Sequence, residues 1–349
     1  MSDRATITDV AREAGVSKAS VSAVINERPG VSDATRAHVI AVMARLAYRP
    51  RGAMVGSRGG RRRRALGLVI KEMDNPYYME IASGALATGR AHGFSVLVAS
   101  SEGDYEAERD AVQVLCDQGV DGLILTPVLG PQADLSHLFD LQRRNVPFVL
   151  LEDVRGVRAS LVDIENVEAS REAVAHLIAL GHTRIIHFAG PEYSAHSRER
   201  VEGVYRAFSA STLVFGDDAI VRAGAHLEDG YRTGLAYFGG RHGVDRPTAV
   251  TCYNDLVAIG LLRALVELGL AVPDDVSVIG FDDLQLLQYL PVALSTIHVP
   301  MTEMGARATA LLVREIDVPS AVAPVREYLA GRLVLRGSTR PPAAARAIR

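Results

Sequence analysis

Apolar positions near the amino terminus repeat at helical spacing: Ile7, Val10, Ala11 and Ala14 fall at i, i+3, i+4 and i+7 and so share one face. Thr6 with Asp9 makes a capping box at the start of that helix, and Gly15 stops it. Beyond the glycine, Ser17 can cap a second helix, Val16 can staple onto Val21, and Val21, Val24 and Ile25 form a second inward face. Thr6 to Asn26 therefore predicts two short helices joined by one glycine turn, with Lys18, Ala19, Ser22 and Ala23 left outside on the second. Small and basic residues displayed this way suit insertion into a major groove, although an ordinary α-hairpin at a domain edge carries the same pattern. Ser32 caps a predicted third helix through about Ala47, with Val39, Met43 and Leu46 facing the first two, and Tyr48 and Pro50 close the unit.

From Leu66 onward the period changes. Apolar, β-branched runs at 66–70, 94–100, 120–126, 147–153, 184–190, 249–255 and 276–283 predict buried strands. Amphipathic helices are predicted between them, among them Tyr77 to His92, Tyr105 to Asp117, Asn166 to Gly181, Asp255 to Gly269 and, after the last strand, Met301 to Ile316. Alternating β and α with strands apolar on both faces implies doubly wound parallel sheets. About 270 residues of this pattern exceed one small sheet, so two similar lobes are expected, with a cleft at the carboxyl ends of the strands.

Composition changes this picture mainly through charge. The net charge is −3, yet residues 1–64 hold 13 Lys plus Arg against 5 Asp plus Glu, or +8, leaving −11 on the remainder. A basic head on an acidic body presents one end to a polyanion. The segment RGAMVGSRGGRRRR, at 51–64, packs four glycines and six arginines into 14 residues and reads as a basic linker. Its bland alternative is a solvated tether. The start MSDRATITDV has no secretory pattern and no apolar run reaches membrane-spanning length, so a cytosolic protein is expected. Cys116 and Cys252, only two and far apart, suit reduced thiols.

Polar residues cluster where the predicted strands end: Glu152 and Asp153, Arg198 and Arg200, Asn254 and Asp255, Asp282 and Asp283, with Tyr77, Tyr78, Tyr193 and Phe281 nearby. Carboxylates, a guanidinium fork, an amide and aromatic faces together suit a small polyhydroxylated ligand such as a sugar or nucleoside. The alternative is caps and surface ion pairs, and Asp255 in particular is expected to cap the helix that follows it. No turn carries a phosphate-binding glycine motif, a nucleophile elbow or metal-ligand spacing, and His182 and His187 are expected to be structural. Neither a catalytic constellation nor a cofactor or metal site is therefore expected.

Taken in order, TITDVAREAGVSKASVSAVIN, VSDATRAHVIAVMARLAYRP, MDNPYY, VDGLIL, AVAHLIALGHTRIIHFAG, CYNDLVAIG, VSVIGFDD, LSTIHVP and LVLRGST resemble the lactose-repressor (LacI/GalR) family of bacterial transcription regulators over nearly the whole chain. The resemblance implies a helix-turn-helix head (1–50), a hinge (51–65), a two-lobed body like the periplasmic binding proteins (66–339) and a flexible tail (340–349). It implies one lobe of 66–162 and 294–339 and another of 163–293, dimeric reading of a pseudo-palindromic operator, and an effector in the cleft. The implied DNA contacts are Thr6, Ser17, Lys18, Ala19, Ser20, Ser22, Ala23, Asn26, Tyr48, Arg51, Met54, Val55 and Arg58. Of the candidate effector contacts, Glu152, Arg200, Asn254, Phe281 and Asp282 match pocket positions of the family, and Tyr77, Tyr78, Tyr193 and Arg198 join them from the strand-end reading. Two departures stand out. Val299 falls where some members have glutamine, and Met54 and Ser57 replace the alanine and minor-groove leucine of many hinges. A sugar-transport receptor or a sugar-processing enzyme would share the lobes but not the basic head.

Overall fold

The computed structural model describes residues 6–25, 30–46, 48, 64–214, 216–241, 243–318 and 323–343. The chain divides into two compact units, one made of the N-terminal residues through Arg62 and one carrying nearly all the rest.

The head holds three helices, α1 (Ile7–Glu13), α2 (Lys18–Ile25) and α3 (Asp33–Arg45). Both halves of the Thr6–Asp9 capping box form: the Asp9 carboxylate accepts from Thr6 N–H at 2.9 Å and the Thr6 hydroxyl from Asp9 N–H at 3.4 Å. Gly15 turns the chain at φ +64°, a conformation that costs glycine little, and the Ser17 hydroxyl then accepts from Ser20 N–H at 3.0 Å to cap α2. Val10, Ala11, Ala14, Val21, Val24, Val39 and Val42 are buried together, with Val16, Met43, Leu46 and Tyr48 packed against them. The inward faces read from the sequence are thus the core of this unit.

The body begins with β1 (Arg64–Ile70), α4 (Pro76–Ala91), β2 (Phe94–Ser100), α5 (Tyr105–Asp117), β3 (Gly122–Leu125), α6 (Ser136–Arg143), β4 (Phe148–Leu150) and β5 (Ser160–Ile164). It continues with α7 (Asn166–Ala179), β6 (Ile185–Ala189), α8 (Ala195–Ser209), β7 (Ile220–Arg222), α9 (Leu227–Phe238), β8 (Ala249–Cys252), α10 (Asp255–Glu267), β9 (Ser277–Asp282) and β10 (Ser295–His298). The chain ends through α11 (Met301–Asp317), β11 (Arg326–Leu329) and β12 (Arg332–Val334). Two six-stranded sheets result, ordered β11-β5-β4-β3-β1-β2 and β12-β10-β9-β8-β6-β7, parallel throughout except where β12 meets β10. Each sheet therefore reverses its strand order once, at β1/β3 and at β6/β8, and such switch points open a crevice at the carboxyl ends of the strands.

Flanking helices approach closely through glycine. A Cβ on Gly84 of α4 would lie 1.9 Å from Thr302 O of α11, and one on Gly305 of α11 would lie 2.0 Å from Ile81 O of α4. Gly230 of α9 and Gly260 of α10 make the same reciprocal contact, at 2.1 Å from Val257 O and 2.0 Å from Leu227 O.

Two boundaries differ from expectation. Of the stretch 294–339 only α11 and β11 join the first lobe, because β10 pairs with β9, and β12 pairs with β10. The polypeptide thus crosses between lobes three times, after β5, after β10 and between β11 and β12. The tail also starts later than residue 340. Arg340 N–H donates to the Ser277 hydroxyl at 3.1 Å, and its carbonyl oxygen lies 2.9 Å from His182 Nε2.

Candidate functional site

On α2, Lys18 and Ala19 are exposed, as is Ser17 before them, whereas Ser20, Ser22 and Ala23 are partly buried and Thr6 is exposed at the start of α1. The outward face is therefore narrower than the helical period suggested, and centred on Lys18 and Ala19. Tyr48, a candidate DNA contact, packs on the head's own core. Asn26, Arg51, Met54, Val55 and Arg58, with Gly52, Gly56, Ser57 and Arg61 of the linker, lie outside the described residues.

In the body a cavity of about 340 Å3 sits where eight strands run out. The segments after β1 (Lys71, Glu72), β2 (Glu102), β3 (Thr126) and β4 (Glu152) form one wall, and those after β6 (Tyr193, Ser194), β7 (His226) and β8 (Tyr253, Asn254), with the last residue of β9 (Asp282), the other. Tyr77, Tyr78, Glu152, Tyr193, Arg200, Asn254 and Asp282, seven of the nine candidates, are thereby brought together. Val299 is buried at 1% exposure and is not among the lining residues.

Arg200, on the inner face of α8, is held from three sides. Its Nε donates to Asn166 Oδ1 at 3.0 Å, Nη1 donates to Tyr253 O, and its guanidinium stacks 3.6 Å from the Phe281 ring centroid. Phe281 is 3% exposed and acts as the platform beneath the guanidinium, so it reaches the cavity only through Arg200. Arg198 does not line the cavity. Its Nη1 folds back onto Glu192 O and Tyr193 O at 3.1 and 2.8 Å, because two helical positions before an inward residue point outward.

Glu152 is 2% exposed and fully engaged. Lys71 Nζ donates to Oε2 at 2.5 Å, while Ser194 Oγ and Ala195 N–H, at the start of α8, donate to Oε1 at 3.1 and 3.0 Å. Burial alone would raise its pKa, but the Lys71 ammonium, His196 and these hydrogen bonds outweigh it and hold the carboxyl at about 2. The Lys71 ammonium is held above its ordinary range by the same pairing, against burial.

Asp282 and Asp283 carry φ of +129° and +69°, strain that non-glycine residues rarely adopt. Burial pushes the Asp282 carboxyl well above the ordinary range, with the Arg200 guanidinium opposing it. Asp255 is not the cap it was expected to be. Asn254 caps α10 by accepting from Val257 N–H at 2.9 Å, and its amide nitrogen donates to Ala225 O at 2.8 Å. Asp255, one residue inside, instead accepts from Asp283 and Leu284 N–H at 2.8 and 2.9 Å and from the Thr296 hydroxyl at 2.6 Å, fixing the strained turn. Asp153 and Asp283 are ion-paired outside the cavity, with Arg326 at 2.8 Å and Arg336 at 2.5 Å.

Sequence reasoning missed Lys71, Glu72, Ser194, His196, His226 and Tyr253. Lys71 and Glu72 directly follow a predicted strand, so the strand-end rule already pointed to them. His226 had no such signal, because neither β7 nor α9 was read. His182 and His187 bond to Thr248 and Thr251 hydroxyls at 2.8 and 3.0 Å, and burial lowers the His187 imidazole to about 3, so it is neutral.

A helix-turn-helix head carried with a two-lobed binding body defines a class, the bacterial transcriptional regulators that couple a DNA reader to a ligand receptor. Residues 6–51 match the bacterial regulatory proteins of the lacI family, and residues 174–339 match the periplasmic binding protein-like domain. The chain is 33% identical over 344 residues to the HTH-type transcriptional regulator MalR of Streptomyces coelicolor, covering 95% of this chain and 96% of that protein. Among solved structures it resembles the transcriptional regulator CelR–cellobiose complex, with a TM-score of 0.70, 28% identity and coverage of 96% and 100%. It also resembles the lac repressor dimer bound to operator and the anti-inducer ONPF, with a TM-score of 0.71, 27% identity and coverage of 97% and 100%. The chain belongs to the LacI family of HTH-type transcriptional regulators.

Proposed function

We propose that this regulator acts in the cytoplasm as a homodimeric repressor, reading a pseudo-palindromic operator through α2 and releasing or gripping it according to a small polyhydroxylated ligand in the interlobe cavity. The observation that carries the reading is the convergence of eight strand ends on one polar, aromatic-walled cavity in a chain that also has an exposed Lys18–Ala19 face on a second helix. Lys18 and Ala19 read bases, while Thr6, Ser17 and the arginine-rich linker contact phosphates. With one long donor on the reading face, much of the affinity comes from phosphates and from dimeric binding, and base choice from a few contacts of about 1–3 kcal/mol each. Tyr77, Tyr78, Arg200 and Asp282 contact the ligand, which is bound and released unchanged.

The mechanism is a population shift. A ligand that prefers one lobe arrangement moves the balance by its difference in affinity for the two, typically about 1–3 kcal/mol of coupling. A thermal-shift screen of sugars and nucleosides, with hits retested for release of a selected operator, tests this. At least one compound should raise the melting temperature and alter operator affinity at least fivefold. Stabilisation without any effect on operator binding would refute the allosteric reading. Replacing Lys18 and Ala19 should change the preferred operator in a binding selection, and an unchanged preference would remove α2 from base reading.

A further inference from the structure

We propose that closure of the two lobes is proton-linked through two histidine–carboxylate pairs that each span the cleft, His196 with Asp163 and His226 with Glu72. His196 Nε2 of α8 lies 2.9 Å from Asp163 Oδ1 of β5, and His226 Nε2, ahead of α9, lies 2.8 Å from Glu72 Oε1, just after β1. In both cases the histidine belongs to the second lobe and the carboxylate to the first, since β5 carries Asp163 into the first sheet rather than the second lobe expected for 163. Glu72 is remote from every crossing, so parting the lobes separates its pair, while Asp163 lies just before the crossing after β5. Two further bonds cross the cleft, from Ser194 Oγ and Ala195 N–H to Glu152 Oε1.

The surroundings decide the sign. His196 occupies the second position of α8, where the helix terminus disfavours a cation, and Arg200 one turn on disfavours it further. Its supporting carboxylates are Asp163 and Glu152, both from the first lobe; Asp282 of β9 and Glu199 of its own helix also face it, but burial raises both of these carboxyls. Burial works against the charge, yet Asp163 and Glu152 outweigh it and hold the ring above its ordinary value. His226 is bonded to Glu72 and, at 3.2 Å, to Asp229 of its own helix, while Lys71 stands beside Glu72. The Glu72 bond is the main cause that lifts the imidazole to about 9. Asp229 travels with His226, so the Glu72 share alone depends on closure. Asn75 steadies the acceptor by donating to the other Glu72 oxygen at 3.1 Å.

A histidine whose pKa is higher closed than open binds more protons closed. Closure is therefore fully supported below the ordinary histidine value of about 6.5 and loses that support as pH rises, for His226 through about 9. Each proton taken up shifts the closed-to-open ratio by up to about tenfold per pH unit within that window. The consequence for regulation rests on the ligand-controlled reading above, whereas the closure itself does not.

Dipolar spectroscopy between nitroxides at Glu106→Cys on α5 and Ala236→Cys on α9, in a Cys116→Ser background, measures closure directly; both positions are exposed. Dilution with unlabelled protein restricts the signal to distances within one chain. Between pH 6 and 10 the distribution should move from short to long. His226→Gln, an exposed change that keeps a hydrogen-bonding side chain, should remove the shift above pH 7, and adding His196→Gln should flatten the profile. A pH-independent distribution in the parent, or a shift unchanged by His226→Gln, overturns the proposal. If the distance responds to pH while no ligand alters operator binding, proton-linked closure stands and the regulatory reading falls.

Discussion

Replacing Lys71 with methionine leaves the Glu152 carboxylate buried without its counter-ion. The pair is 2.5 Å apart, with the glutamate side chain 2% exposed and the lysine 21%. Holding the carboxyl at about 2 instead of its ordinary 4.5 corresponds to roughly 3 kcal/mol at neutral pH, at 1.36 kcal/mol per pKa unit. Breaking one half of a buried pair costs about 3–5 kcal/mol in general. Ser194 Oγ and Ala195 N–H still donate to Glu152, so the lower end, about 3 kcal/mol, is expected. The pH dependence separates charge from packing. In the parent, a depressed carboxyl contributes stability above about 4.5 that is lost as pH falls towards 2. In Lys71→Met, burial is opposed only by His196 and the Ser194 and Ala195 donors, so the same carboxyl rises and the deficit, largest at pH 7, shrinks as pH falls and the group takes a proton. Urea unfolding followed by circular dichroism at pH 7 and at about pH 4.5, with Glu152→Gln and the double variant completing a thermodynamic cycle, measures it. A loss below about 1 kcal/mol at pH 7, or an equal loss at both pH values, would refute the reasoning.

Arg200→Lys keeps the charge but loses the fork that reaches Asn166 and Tyr253 while stacked on Phe281; calorimetry with a ligand from the screen should show affinity falling about ten- to a hundredfold, since a charge-assisted hydrogen bond contributes about 1.5–3 kcal/mol. Gly84→Ala puts a methyl group 1.9 Å from a backbone oxygen of α11, so the two helices must separate; a loss of about 1–3 kcal/mol is expected in thermal unfolding, and an unchanged midpoint would mean that the helices are not in this contact.

The head was legible almost to the residue, because its helices bury apolar faces and each N-terminus has a side-chain cap, from Thr6, Ser17 and Ser32. The seven strands read from apolar runs all exist; six are buried along nearly their whole length and announce themselves by composition alone, and β2, a half-exposed border strand, carries an equally apolar run. What escaped were the short strands: β5 and β10 lie buried inside their sheets but mix Ser160, Asp163, Ser295 and Thr296 with few apolar residues. β7, β11 and β12 are short and half exposed, and α9, carrying Gly230 and Gly234, looks like a poor helix until Gly260 of α10 is seen against it. The site followed the same division. Arg200, Asn254 and Asp282 were found because strands before them were found, and His226 was lost with its neighbours. Glu152 was located correctly but not its engagement, because the partners that saturate it come from both lobes at sequence separations of 81 and 42. Asn254 and Asp255 were exchanged because either side chain can cap a helix, and only the Asp283 turn shows which one does.

The last described crossing between lobes makes the stretch after α11 disproportionately important. β11 completes the border of one sheet and β12, three residues further on, the border of the other. A frameshift or stop after Asp317 would leave the head and most of both lobes in place, yet strip the covering strand from β5 and from β10 together. Such a product would present two raw sheet borders, each able to recruit another chain, so it should accumulate as aggregate rather than as a smaller working protein.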